Sequence, residues 1–218
     1  MSTPQSWSAK SGRNTLLIVC AVVWGACAIA PYSFSTWAIE QLAVVAGLLI
    51  LYWAAQQVRF SGLAQLGMAV LFCLHAVGSH YSYSLTPYES WSQWLTGHSL
   101  QDWFGWQRNH YDRLVHLIYG LSLFLPFQEY LRQRLALPEG AAAILSLHLV
   151  LSTSALYELL EWGAAMTVGA DVGMAYLGTQ GDIWDAHADI ALAGLGAVAA
   201  LLPVALRLAW VRAPQLAP

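Results

Sequence analysis

The sequence predicts an all-α, polytopic membrane fold of about six transmembrane helices, and three observations carry that prediction. First, 58% of the 218 residues are hydrophobic and only 10% are charged, a balance that belongs to the membrane class. Second, Asp, Glu, Lys and Arg are missing from 14–39, 41–58, 60–88, 114–128, 140–157 and 190–206, and a helix needs roughly 20 mostly apolar residues to cross the hydrocarbon layer. Third, the strict alternation of a barrel strand is missing, which leaves helices to satisfy the backbone in lipid. With so much of the chain in membrane segments, residues 1–218 read as a single integral membrane domain.

The elements follow in order. Lys10 and Arg13 precede an apolar run ending at Ala28-Ile29-Ala30, as in a signal peptide; the run exceeds the roughly 7 to 15 residues of a cleaved h-region, so a retained first helix is expected. Arg59 separates helices two and three, Arg132 and Arg134 separate four and five, and Arg207 and Arg212 follow six. By the positive-inside rule these loops and both termini are cytoplasmic. The opposite loops lie outside, and the longest, a Trp-rich segment at 87–111, holds Trp91 and Trp94 and then Trp103 and Trp106. Each pair is three residues apart and shares a face of a short helix, fitting either an interfacial belt or a lid over an outer site. Cys20, Cys27 and Cys73 lie in apolar segments without metal-finger or disulfide spacing and read as small apolar residues.

Polar residues crowd into the outer halves of helices three to six. Asp182, Asp185 and Asp189 form one helical stripe, Asp112 and His116 another, and Glu158 and Glu161 a third. His80 reaches the same level, whereas His187 points away from its neighbouring carboxylates. Six carboxylates face Arg108 and Arg113 there, and excess charge at depth demands neutralisation by a divalent metal or by protons. The first metal-ligand candidates are His80, His116, Glu158, Asp182, Asp185 and Asp189, with Zn, Mn, Fe or Mg compatible. Asp112 or Glu161 suits a catalytic base, and Arg108 with Arg113 suits a substrate phosphate or carboxylate. The bland alternative is polar glue between helices, with Arg113 paired to Glu158 or Asp185. Glu129 and Arg132 read as a local ion pair, and His148 as a hydrogen-bonded core residue. Paired with His75, His148 suits haem, a reading with no other support in the sequence.

Arg108-Asn109-His110-Tyr111-Asp112-Arg113 with His116, then Tyr157-Glu158 and Glu161-Trp162, then Gly178-Thr179-Gln180-Gly181-Asp182 with Trp184, Asp185 and Asp189 resemble the YjdF-type bacterial inner-membrane proteins, a domain of unknown function. The resemblance spans helix one to helix six. It implies the membrane topology and a bacterial inner-membrane location, with no activity or cofactor. In that family pattern the His187 position is more often Gln and the Ala188 position more often Lys, which further weakens a role for His187.

Three function classes remain. One is a metal-dependent enzyme acting on a lipid or isoprenoid substrate; another is a proton-coupled transporter; the third is a non-catalytic membrane scaffold. The lipid bilayer is a partner in each, and no nucleic acid is expected.

Overall fold

A computed structural model describes residues 5–167, 173 and 176–212. Eight helices are delimited among the described residues, with no strand: α1 (Gln5–Cys27), α2 (Phe34–Ala55), α3 (Gly62–His80), α4 (Tyr88–Thr96), α5 (Leu100–Phe104), α6 (Tyr111–Arg134), α7 (Glu139–Thr167) and α8 (Asp185–Arg212). Four of them are long and apolar enough to cross a membrane: α2, α3, α7 and the Asp185–Leu206 part of α8. The six charge-free runs also take in parts of α1 and α6, which fall outside those four. The apolar part of α1, Ser11–Cys27, is shorter, and α6 spans 24 residues but carries buried His116, Ser122 and Gln128 along its length.

α6 is the hub, packing on α8, α7 and α3, while α1 packs on α3 and the α2 backbone approaches mainly α3. Close approach of α6 and α8 follows from small side chains. A Cβ on Gly120 would run into the carbonyl oxygen of Ala193, and one on Gly196 into that of Leu117, so the two backbones lie in direct contact, as small residues permit in membrane bundles. Around this seam Phe124, Ala143, Val150, Ala193 and Ala197 form the apolar core.

Side chains fix the helix ends. The Ser33 and Ser61 hydroxyls accept from the N–H groups of Thr36 and Ala64, capping α2 and α3. Gly97 and Gly105 end α4 and α5 in the left-handed conformation. At the other end of the bundle, Glu129 accepts from the Ser61 N–H at 2.9 Å and Gln133 exchanges hydrogen bonds with the Arg59 backbone, tying the α2–α3 turn to α6. Arg132 pairs with Glu139 at 3.7 Å instead of Glu129, because the short connection to α7 brings Glu139 back beside it. His148 is exposed and bonds the Ile144 carbonyl of its own helix, so it is neither a core residue nor opposite His75.

The Trp-rich segment forms two short helices. Trp91 and Trp94 lie on α4 and Trp103 on α5, but α5 stops at Phe104, so Trp106 falls in the following loop and stacks on Phe104 at 4.6 Å. The second Trp pair therefore does not share a helix face. Glu89 on α4 accepts from the Leu100 and Gln101 N–H groups, locking the two helices together.

Candidate metal centre

The segment before α6 is wired to both flanking loops. Asn109 exchanges two backbone hydrogen bonds with the Gln180 side chain, each 2.9 Å, and donates through Nδ2 to the Thr86 carbonyl. The Tyr88 hydroxyl accepts from the His110 N–H. These bonds set the start of α6 beside the start of α8. Over the first two turns, Asp112 and His116 on α6 face Asp185 and Asp189 on α8, each pair four residues apart on one helical face. One turn deeper lies the Gly120–Ala193 contact, which holds the two helices close enough for those side chains to meet.

The polar residues sort into two layers. In the first, Arg108 Nη1 donates to Asp185 Oδ1 at 2.6 Å and approaches Asp182 Oδ2 at 3.5 Å. Arg113 Nη2 binds the same Asp182 oxygen closely and lies 3.3 Å from Asp185 Oδ1. Two carboxylates thus match two guanidiniums. The Trp184 N–H donates to Asp182 Oδ1, and this bond, with the Arg113 and Arg108 charges, holds the Asp182 carboxyl below its ordinary range. Burial, followed by the Arg113 and Arg108 charges, pushes His110 below its usual value, leaving a neutral ring whose Nδ1 faces Arg113 Nη1 at 3.4 Å.

The second layer has no such compensation. Asp112, His116 and Asp189 each present a ligand atom, all within 4.8 Å of one another, a group that can hold a metal ion. His116 Nε2 lies 3.7 Å from Asp112 Oδ1 and 3.3 Å from Glu158 Oε1. His116 and Asp189 are 7% and 2% exposed, yet His116 Nδ1, Asp189 Oδ1 and Glu158 Oε1 have no hydrogen-bond partner. Buried polar atoms are normally paired, so these atoms have unused capacity to bind a proton, a water or a metal ion.

The sequence-predicted residues are therefore redistributed. Asp189 and His116 come together with Asp112, and Glu158 Oε1 lies 3.3 Å from His116 Nε2. Asp112, expected to act as a base, stands with His116 and Asp189, because it lies one turn before His116 on the face toward α8. Asp182 and Asp185, expected as ligands, are occupied by Arg108 and Arg113. His80 is directed elsewhere: its Nδ1 bonds the Cys27 carbonyl at 2.9 Å, and its ring packs on Tyr81 beside α1. His187 is exposed and meets Trp184 edge-on.

One residue escaped the sequence reading. Glu40 on α2 is 1% exposed; it accepts from the Tyr157 hydroxyl at 2.9 Å and lies 4.0 Å from His75 Nε2. The Tyr83 hydroxyl meets His75 Nδ1 at 2.5 Å. Glu161 stands beside Tyr157 and Glu40 in this second group, whereas its neighbour Glu158 approaches His116. The signal was a single carboxylate interrupting two charge-free runs, which is a functional-site pointer by itself.

A family model described as "Predicted membrane protein (DUF2238)" matches residues 13–209. The chain is 32% identical over 194 residues to "Inner membrane protein YjdF" of Escherichia coli (strain K12), covering 87% of each chain. No solved structure matches.

Proposed function

The chain belongs to the DUF2238 family of predicted membrane proteins, and from that premise we propose that it is a multi-pass bacterial inner-membrane protein whose Asp112, His116 and Asp189 bind one divalent cation and use it on a lipid or isoprenoid substrate. The observation carrying this reading is the approach of three ligand atoms to within 4.8 Å of one another, with Asp189 Oδ1 and His116 Nδ1 unsatisfied. Charge supports it: once Asp182 and Asp185 are matched by the two arginines, Asp112, Asp189 and Glu158 remain as excess negative charge that a divalent ion would offset. Glu158 is the fourth ligand in this reading, and one imidazole among carboxylates favours Zn, Mn or Fe over Mg. A cation there would polarise a substrate oxygen or acidify a bound water. Arg108 and Arg113 anchor the substrate's anionic group.

The six-helix, N-in/C-in topology adds α1 and α6 to the four apolar spans. Polar side chains of α6 meet α3, α7 and α8 instead of lipid, which reconciles its modest hydropathy with a membrane position. The site then opens toward the outer face, where Trp94, Trp103 and Phe104 are exposed for contact with headgroups. Against a carrier role, the α6–α8 seam beneath the cluster is closed by Gly120, Ala193, Gly196 and Phe124.

Metal analysis of purified protein tests the reading. Stoichiometric divalent metal is expected in the wild type and its loss in Asp189→Ala, with helical content and monodispersity preserved. A wild type that retains no metal after incubation with Zn, Mn and Fe overturns it.

A further inference from the structure

Arg108 and Arg113 share one oxygen from each of two aspartates, an end-on arrangement that uses few of their donors. Arg108 Nη2 and Arg113 Nε stay buried without an acceptor, although a guanidinium presents its N–H groups as a fork suited to two-oxygen acceptors. The aspartates differ in how firmly they are held. Asp185 lies in the first turn of α8 and its side chain is 5% exposed. Asp182 lies in the preceding turn and its side chain is 31% exposed, and apart from the arginines its carboxylate is held by the Trp184 N–H.

We propose that Arg108 and Arg113 form a phosphoryl-capture site in which the Asp182 carboxylate is a built-in stand-in, displaced when a phosphate-bearing ligand binds. A phosphoryl group offers three oxygens where Asp182 Oδ2 offers one, so it reaches the idle donors as well as those Asp182 occupies. Two anions cannot hold the same pair of guanidiniums beside Asp185, so ligand and Asp182 compete. The turn carrying Asp182 then moves outward with Ile183, which is 84% exposed, while Asp185 stays to orient Arg108. This inference rests on the reading of the two arginines as substrate anchors, and it adds the class of the anchored group and a self-occupied resting state.

Full-length protein in a neutral detergent, titrated with inorganic phosphate in one arm and short-chain phosphatidic acid in the other, tests this, with phosphatidylcholine of equal chain length as control. Asp182→Asn removes the competing charge and is expected to tighten binding about tenfold, the scale of one lost charge-assisted bond; Arg113→Gln is expected to abolish it. Tightening with inorganic phosphate identifies a free anion as sufficient, and tightening with phosphatidic acid alone identifies a lipid headgroup. With Cys20, Cys27 and Cys73 replaced by Ser and Asp182 retained, a spin label on Ile183→Cys is expected to gain mobility when phosphate or phosphatidic acid is added. Unchanged affinity in Asp182→Asn in both arms, or an immobile label at saturation, overturns the proposal. Metal content measured on the same samples separates the two readings: metal retained without tightening sinks only the displacement, and tightening without metal sinks only the cation site.

Discussion

A carboxylate withdrawn from water persists where something supplies a hydrogen bond or opposite charge, and buried Glu40 and partly exposed Asp182 meet that demand in different ways. Glu40 is held by neutral partners. Deleting it leaves the Tyr157 hydroxyl without its acceptor, so Glu40→Ala is expected to destabilise the protein by about 1–3 kcal/mol, with Glu40→Gln recovering most of the loss. Thermal unfolding in detergent checks this, and equal losses in both variants would exclude the Tyr157 bond as the cause. Asp182 is held by the Trp184 N–H and two guanidiniums, which depress its pKa below the unfolded value. A depressed carboxyl contributes stability that is present above the unfolded pKa, near ~3.9, and is lost as pH falls through the folded one. Melting temperature is therefore expected to fall below about pH 4 in the wild type. In Asp182→Asn that acid limb should be shallower; an unchanged limb would show that other carboxylates carry it.

At the scale of elements, the α6–α8 seam decides whether the site exists. Gly120 and Gly196 let the backbones touch, and the cluster of Asp112, His116 and Asp189 lies one turn away from that contact. Gly120→Ala is expected to cost about 1–3 kcal/mol through overpacking against the Ala193 carbonyl and to reduce metal retention with it. A methyl group on Gly163 of α7 would meet only open space, so Gly163→Ala is expected to be neutral or stabilising by up to about 1 kcal/mol. Paired unfolding curves check the opposite signs. The stripes of α6 and α8 were legible as helical periodicity because spacing alone puts four-apart residues on one face. Glu161 was grouped with Glu158 by the same rule, yet it faces Tyr157 and Glu40, since the groove between α2, α3 and α7 lies beside the one that receives Glu158.

For the whole molecule, the six-helix topology makes its own prediction. Reporter domains fused at either end are expected to be active only in the cytoplasm, whereas one inserted near Gly97, between α4 and α5, is expected to be active only outside. A C-terminal reporter active outside would require an odd number of spans and would remove the six-helix reading. The sequence by itself determined the membrane class, the helical architecture and the shared faces of Asp112 with His116 and of Asp185 with Asp189. Composition and a period of 3.6 residues are local properties, and they survive in any packing arrangement. Only the tertiary structure decided that Arg108 and Arg113 neutralise Asp182 and Asp185, that Asp112 joins His116 and Asp189, that His80 turns toward α1 and that Glu40 reaches Tyr157. Those partnerships depend on the depth and spacing at which helices meet, which the Gly120 and Gly196 contacts set and which no single helix encodes.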